Sequence, residues 1–255
     1  MDTRDAPGEP ASNELDVGHE PGVAAADGMA LDHICEWVFD LDNTLYPAHC
    51  RLFDQIDRRM GEFISSLLGL DFPAARRIQK DYFHHYGTTL RGLMDNHGVD
   101  PDHFLAYVHE IDVSVVPESP ALVAVLDRLA GRKLVFTNGP HSHARTVLER
   151  LGVHDHFDGI FDVADAGYIP KPDPQCYQAL IASHDIDPKG AILFEDIACN
   201  LAPAADLGMT TVLVTSAAHP DTPQDQPEDE DHIHHVTCYL VGWLERVAAA
   251  RDRDR

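Results

Sequence analysis

The feature that most constrains the fold of this chain is an alternation of short apolar runs with amphipathic stretches. Each apolar run has the length of a buried strand, and the stretch that follows it has helical spacing. Strands that alternate with helices favour a doubly wound parallel sheet, so the sequence predicts an α/β fold. The predicted strands are residues 37–39, 133–136, 159–163, 191–194, 211–214 and 234–236, and the predicted helices beside them are 121–130, 142–151, 174–184, 198–207 and 239–250.

The gap between the first two predicted strands is too long for a single crossover. Roughly 90 residues separate them, whereas a crossover needs about a dozen or more. The gap contains three helical patterns, at residues 51–68, 73–86 and 101–111. We therefore expect an α-helical insert at 47–118 and a core built from 31–46 and 119–255. We expect a disordered tail at 1–30 and a solvated, acid- and proline-rich loop at 221–231.

Two carboxylates, Asp40 and Asp42, follow the first predicted strand directly. Open α/β sheets place their active sites at the carboxyl ends of the strands. Asn43, Thr44 and Pro47 indicate a turn after the strand, and such a turn can bring both side chains to one pocket. In such a pocket one carboxylate can attack and the other can carry protons.

Polar residues also stand at the ends of later strands. Thr137 and Asn138 precede a glycine, and a hydroxyl beside such a turn can bind a phosphoryl oxygen together with backbone N–H groups. Lys171 lies between two prolines, which limit its backbone freedom and preorganise its ammonium group. Asp196 follows Glu195 at the end of another strand, and its hard oxygen atoms suit Mg²⁺.

These four strings, read in order, resemble the motifs of the haloacid dehalogenase superfamily, most of whose members are phosphatases. They are D-x-D-N-T-L at 40–45, T-N-G at 137–139, P-K-P at 170–172 and E-D at 195–196, and the resemblance extends from residue 36 to about residue 214. It implies a Rossmann-like core with an inserted α-helical cap. The members often carry a second Asp where this chain has Asn200, for which we expect a supporting hydrogen-bonding role.

The resemblance also implies a mechanism and a cofactor. Asp40 would attack phosphorus and form an aspartyl-phosphate, while Asp42 would protonate the leaving oxygen and then deprotonate water. Thr137, Asn138 and Lys171 would bind the phosphate. Mg²⁺ would be held by Asp40, the backbone carbonyl of Asp42, and Asp196. Glu195 remains open as a metal ligand, a supporting group or a structural residue.

The predicted cap resembles the pyrimidine 5′-nucleotidase branch in two segments, 86–94 and 103–112. That resemblance implies UMP or CMP as substrate, with Thr89 and Arg91 bonding to the base or ribose and Tyr86 stacking. The alternative is that Gly87 ends one helix and its neighbours cap the next. Other readings of the function are a phosphatase for phosphoglycolate, a sugar phosphate or a vitamin precursor, a phosphomutase, and a non-catalytic binding protein.

The amino-acid composition limits the classes of molecule that the chain is expected to bind. The net charge is -24, from 19 basic and 43 acidic residues, which disfavours nucleic-acid polymers and anionic membranes but admits a small phosphorylated metabolite near local cations. Five scattered cysteines without C-x-x-C spacing, no long apolar stretch and no secretory signal favour a cytoplasmic location. His141 and His143 begin the helix after the second motif; they could reach the mouth of the pocket, but we expect them on the helix surface.

Overall fold

A parallel sheet of six strands forms the centre of the computed structural model, in which residues 31–215 and 231–253 are described. The strands are β1 (Glu36–Phe39), β2 (Arg132–Phe136), β3 (Gly159–Phe161), β4 (Ala191–Glu195), β5 (Thr210–Val214) and β6 (His235–Thr237). The helices are α1 (Leu52–Leu68), α2 (Phe72–Tyr86), α3 (Thr89–His97), α4 (Pro101–Val108), α5 (Pro120–Arg128), α6 (His141–Leu151), α7 (Pro174–His184), α8 (Ala202–Asp206) and α9 (Leu240–Arg253).

The strand order is β3-β2-β1-β4-β5-β6, so β1 lies between β2 and β4. The chain winds from β1 towards β3 on one side and then from β4 towards β6 on the other. Such a reversal opens a crevice at the carboxyl ends of the central strands, where α/β proteins bind ligands. Phe39, the last residue of β1, pairs with Val135 and Phe194, so the residues that follow these three strands meet at one edge.

Alternate residues of the strands feed two apolar layers, because successive side chains point to opposite faces. On one face Trp37 and Phe39 pack in a cluster that includes Trp243 of α9 and side chains of α5 and α6. On the other face Val38 packs with Tyr177 of α7 and with residues of α8. The predicted doubly wound parallel α/β fold is confirmed.

Helices α1 to α4 lie between β1 and α5 in the chain and build an apolar cluster of their own. Phe63, Leu93 and Phe104 are buried in it, and Val163 joins them from the loop after β3. The helical insert thus packs against the carboxyl edge of the sheet. The boundaries of the cap at 47 and 118 stay a prediction.

The local structure differs from the prediction at three places. The insert contains α3, which the helical patterns did not predict. Strand β3 ends at Phe161 because the Asp162 carboxylate accepts hydrogen bonds from the N–H groups of Ala164 and Asp165 and turns the chain. The predicted helix 198–207 is a 3₁₀ turn, Ala198–Asn200, followed by α8.

The predicted tail 1–30 and nearly all of the predicted loop 221–231 lie outside the described residues. Among the helices that are described, none has the length and apolarity needed to cross a membrane.

Candidate active site

The chain turns sharply just after Asp40. The Asp40 N–H donates to the Phe194 carbonyl and so extends the pairing of β1 with β4 by one residue. The Leu41 carbonyl then accepts from the N–H groups of Thr44 and Leu45, and Asn43 takes a left-handed conformation with φ of 63°. Asn tolerates that conformation better than most residues. The turn predicted from the sequence is therefore present at the carboxyl end of β1.

Asp40 is a buried carboxylate, 6% exposed, with both oxygen atoms engaged. Its Oδ1 accepts from Lys171 Nζ at 2.7 Å and its Oδ2 from Thr44 Oγ1 at 3.1 Å. Burial and the negative charge of Glu195 raise the pKa of Asp40 to about 7, although Lys171 opposes the rise. The two hydrogen bonds fix the orientation of the carboxylate.

Lys171 is held from two sides. Its backbone N–H donates to Asn138 Oδ1 at 2.8 Å, and Asn138 Nδ2 donates back to the Lys171 carbonyl at 3.3 Å. Its Nζ also donates to Glu195 Oε2 at 2.6 Å and to the Phe136 carbonyl at 2.9 Å. Burial alone would lower the pKa of this lysine, but the charges of Asp40 and Glu195 outweigh burial and raise it. Lys171 is therefore a fixed cation beside the Asp40 carboxylate.

Asn138 and Glu195 both contact Lys171. The amide oxygen and nitrogen of the Asn138 side chain hydrogen-bond to the Lys171 backbone and hold the lysine loop, while phosphate binding by Asn138 stays a prediction. Glu195 is buried, with Oε2 on Lys171 and Oε1 accepting from the Ile197 N–H at 3.2 Å. Thr137 is buried beside them, and its Oγ1 accepts from the Gly139 N–H at 2.9 Å.

Asp40, Glu195 and Asp196 form an acidic group whose ligand atoms all lie within 4.8 Å of one another. Burial, followed by the charges of Glu195 and Asp40, raises the pKa of Asp196 well above its ordinary value. Three crowded carboxylates repel one another, and a divalent cation would relieve that repulsion. Their hard oxygen atoms suit Mg²⁺, so these residues fit the predicted metal. Metal binding by the Asp42 backbone carbonyl stays a prediction.

Asp42 lies beside Asp40 but has a separate set of partners. Its Oδ1 accepts from the Tyr46 hydroxyl at 2.5 Å and is 2.8 Å from His143 Nε2. Burial would raise the pKa of Asp42, but the neighbouring His143 and Tyr46 lower it overall. His143 is only 4% exposed, so the expectation that it lies on the helix surface is wrong. That expectation is correct for His141, which is exposed.

His143 was missed because the side of α6 that faces the site follows from the packing of the helix and not from its sequence pattern. His109 was missed for a similar reason, since it lies at the end of α4 and its ring centroid is 4.6 Å from that of His143. Tyr46 could have been predicted from the sequence. It follows Asp42 by four residues, and the turn after Asp40 brings residues at that spacing together.

A cavity of about 610 Å³ opens between the helical insert and the core. Lys171 and Asn138 reach it from the core, while Tyr86 and Arg91 line it from α2 and α3. The insert approaches closely here, since a Cβ on Gly87 would lie 3.4 Å from the Lys171 carbonyl. The cavity thus borders the loop of Lys171, whose Nζ contacts Asp40, whereas Asp40 and Asp42 themselves do not line it.

The three predicted substrate contacts have different surroundings. Arg91 pairs with Asp95 at 3.0 Å, and the Tyr86 hydroxyl accepts from Asn96 at 3.0 Å, both at the cavity wall. Thr89 is buried, with its hydroxyl donating to the Gln79 carbonyl at 3.2 Å, and it does not line the cavity. Gly87 ends α2 and Thr88 caps α3, so the alternative interpretation of this segment describes its local structure. Asn200 is buried and lines the cavity, and its carbonyl accepts from the Tyr177 hydroxyl.

The fold and the site define the class of α/β enzymes that work with acidic side chains at the carboxyl edge of a parallel sheet. A family model described as haloacid dehalogenase-like hydrolase matches residues 38–208, and the chain belongs to that family.

Individual relatives agree with this assignment. The chain is 30% identical to phosphate metabolism protein 8 of Saccharomyces cerevisiae, over 69% of this chain and 60% of the yeast protein. It is 28% identical to phosphoglycolate phosphatase of Rhodospirillum rubrum, over 70% of this chain and 78% of that protein. A solved phosphatase of the family from Thermococcus onnurineus superposes with a TM-score of 0.57 at 18% identity, covering 84% of this chain and 98% of the other, and shows the shared fold. The two sequence relatives support membership of the family, and the solved structure supports the fold alone.

Proposed function

We propose that this protein is a Mg²⁺-dependent phosphomonoester hydrolase that forms an aspartyl-phosphate on Asp40. The observation that carries the proposal is the state of Asp40: a buried carboxylate oriented by Lys171 and Thr44, next to the acidic group with Asp196. A carboxylate fixed in this way can act as a nucleophile, because little reorganisation is needed when it attacks.

The first half of the reaction forms the covalent intermediate. An oxygen of Asp40 attacks phosphorus as the bond between phosphorus and the leaving oxygen breaks, and Asp42 gives that oxygen a proton. Lys171 offsets the negative charge of Asp40 as the anionic phosphate approaches, and Thr137 with the N–H groups of its loop binds phosphoryl oxygens.

The second half restores the enzyme. Asp42 takes a proton from a water molecule, whose oxygen attacks phosphorus and displaces Asp40 as free phosphate forms. Mg²⁺, held by Asp40, Asp196 and the Asp42 carbonyl, would supply positive charge to the phosphate oxygens. Glu195 keeps Lys171 in place through both halves, because it accepts one of the three Nζ hydrogen bonds.

The substrates we propose are the pyrimidine nucleotides UMP and CMP. The cavity of about 610 Å³ falls within the roughly 300–1,000 Å³ of pockets that enclose drug-sized ligands, and it is lined by Tyr86 and Phe83 as well as by Arg91. An aromatic side chain can stack on a base and Arg91 can bond to its edge. Thr89 is left out of this proposal because its hydroxyl is used inside the insert.

Phosphoglycolate is the second candidate, since the similar protein of Rhodospirillum rubrum is named a phosphoglycolate phosphatase. A two-carbon acid would fill little of the cavity, whereas a nucleoside would occupy more of it.

The test is phosphate release from UMP, CMP, AMP, phosphoglycolate and sugar phosphates, with Mg²⁺ and with EDTA. We expect Mg²⁺-dependent release that is fastest with UMP and CMP. A preference for phosphoglycolate would keep the chemistry and reject the nucleotide. Absence of release from every ester would contradict the proposed activity.

Asp40→Asn should abolish release without unfolding the protein. Burial and the Glu195 charge already disfavour an ionised Asp40, so the amide should leave the thermal unfolding temperature unchanged or higher. Circular dichroism checks the fold beside the activity measurement. A folded Asp40→Asn protein with wild-type turnover would contradict the assignment of the nucleophile.

A further inference from the structure

The hydrogen bonds to Asp42 are all on one of its two carboxylate oxygens. Tyr46 and His143 both contact Oδ1, at 2.5 and 2.8 Å. Within the described residues, Oδ2 has no hydrogen-bond partner. One oxygen is thus held by the protein and the other is left for a reacting group.

Both partners of Oδ1 have defined roles as donors. A carboxylate oxygen can only accept, so His143 Nε2 carries the hydrogen that it shares with Asp42. Tyr46 is buried, and its hydroxyl donates the hydrogen of the bond to Oδ1, because the carboxylate oxygen can only accept. Neither donor can rotate freely, because the Tyr46 ring is enclosed in the main core cluster and the His143 side chain is 1% exposed.

The insert contributes His109 to the surroundings of His143. His109 packs its ring against that of His143, and its Nδ1 lies 2.9 Å from the Leu105 carbonyl, which can only accept. Nδ1 of His109 therefore carries the hydrogen. Its ring lies beside the imidazole of His143, whose Nε2 contacts Asp42.

We propose that His143, together with Tyr46, is a positioning residue for Asp42, holding Oδ1 so that Oδ2 faces the leaving oxygen and then the attacking water. This inference rests on the proposed function. In the first half, the proton that Oδ2 took from water in the preceding turnover passes to the leaving oxygen as the bond from that oxygen to phosphorus breaks. In the second half, Oδ2 takes a proton from the water whose oxygen displaces Asp40.

The test compares His143→Gln with His143→Leu. The amide nitrogen of Gln can take the place of Nε2 and donate to Oδ1, whereas Leu fills similar space without a donor. His141→Leu is the matched control, because His141 is an exposed residue of the same helix. Each protein is assayed with p-nitrophenyl phosphate, whose leaving group needs no proton, and with the alkyl phosphate that the wild type hydrolyses fastest.

A positioning role predicts a specific pattern. His143→Leu should lower kcat for the alkyl phosphate by roughly 10²- to 10³-fold, the size of a general acid–base contribution, with little change in KM. With p-nitrophenyl phosphate the same variant should release a rapid burst of nitrophenolate and then turn over slowly, because only the second half needs Asp42. The kcat of His143→Gln should be within about tenfold of the wild-type kcat, and the kcat of His141→Leu should equal that of the wild type.

Three results would overturn the proposal: an equal loss with both substrates and no burst, a His143→Gln protein as slow as His143→Leu, or wild-type kinetics in His143→Leu. If His143→Leu does not fold, Tyr46→Phe removes the other donor while keeping the ring and should show the same difference between the substrates. A wild type that hydrolyses neither ester would instead reject the proposed function, and the positioning role with it.

Discussion

The Nζ of Lys171 makes three hydrogen bonds inside the molecule, to Asp40, Glu195 and the Phe136 carbonyl. Two buried carboxylates and one buried ammonium leave a net negative charge in an enclosed space. A buried charge that loses its partner is costly, because neither water nor another cation can replace the ammonium easily. Lys171 is therefore a residue on which both stability and activity depend.

Lys171→Met should lower the free energy of unfolding by about 3–5 kcal/mol, the cost of breaking a buried ion pair. It should also remove detectable turnover, because Asp40 loses one of its two orienting hydrogen bonds. Urea unfolding measures the first effect and phosphate release the second. Lys189→Met is the control, since Lys189 is exposed and its replacement should change stability by no more than about 0.5 kcal/mol. A Lys171→Met protein as stable as this control would contradict the described ion-pair network.

Sequence reasoning selected Asp40, Asp42, Lys171 and Asp196 as candidates because each follows an apolar strand or lies between prolines, and such signals are local. It did not find the role of Asn138 as a support for Lys171, because that contact joins residues 33 positions apart in the chain. Nor did it decide the role of Glu195, since a carboxylate at a strand end gives the same pattern whether it binds a metal or a lysine.

Helices α4 and α6 bring His109 and His143 together although one belongs to the insert and the other to the core. Burial, and then the nearby His143, lowers the pKa of His109 to about 4. The unfolded chain has the ordinary value of 6.5. As the pH falls from 6.5 towards 4, the unfolded chain binds a proton that the folded protein does not, so stability is lost across that window.

His109→Gln should remove this loss. Between about pH 7 and about pH 5, the free energy of unfolding of the wild type should fall more than that of the variant. Any effect of the substitution on packing is a constant offset and does not change the comparison of slopes. Urea unfolding at both pH values provides the measurement, with His49→Gln as a control that removes an exposed histidine. Equal slopes in wild type and His109→Gln would show that His109 is not buried as described.

The core elements were predictable because their apolar runs are continuous and their helices have clear periodicity. Helix α3 was not, since T-L-R-G-L-M-D-N-H is short, polar and interrupted by a glycine. Two features of the structure stabilise this helix. Thr88 Oγ1 accepts a hydrogen bond from the Arg91 N–H and caps the first turn, and Leu90 and Leu93 are buried in the cluster of the insert. Tertiary packing, rather than helix propensity, explains why this segment is helical.

A strongly acidic molecule is proposed to act on an anionic substrate. The net charge is -24, and three carboxylates crowd together at the carboxyl edge of the sheet. The two facts are compatible if a divalent cation neutralises the site. The charge of a bound cation acts at short range on the substrate, whereas salt screens the charges on the distant surface. Metal binding and stability should then be coupled.

Mg²⁺ should therefore raise the thermal unfolding temperature of the wild type. A ligand that binds only the folded protein at a hundredfold excess over its Kd adds about 2.7 kcal/mol of stability. Asp196→Asn should lose most of this increase, while Asp206→Asn, which changes an exposed carboxylate, should keep it. Thermal unfolding in Mg²⁺ and in EDTA gives the comparison. An equal increase in both variants would place the metal elsewhere.

The most direct test of the account is to look for the phosphoryl group on Asp40. Asp42→Asn protein is mixed with p-nitrophenyl phosphate and Mg²⁺, quenched in acid, digested, and examined by mass spectrometry. We predict a phosphorylated peptide that carries Asp40, because the second half of the reaction lacks its base, and no such peptide when Asp40 is also replaced by Asn. Nitrophenolate release without a phosphoryl group on Asp40, or with one on another residue, would contradict the account.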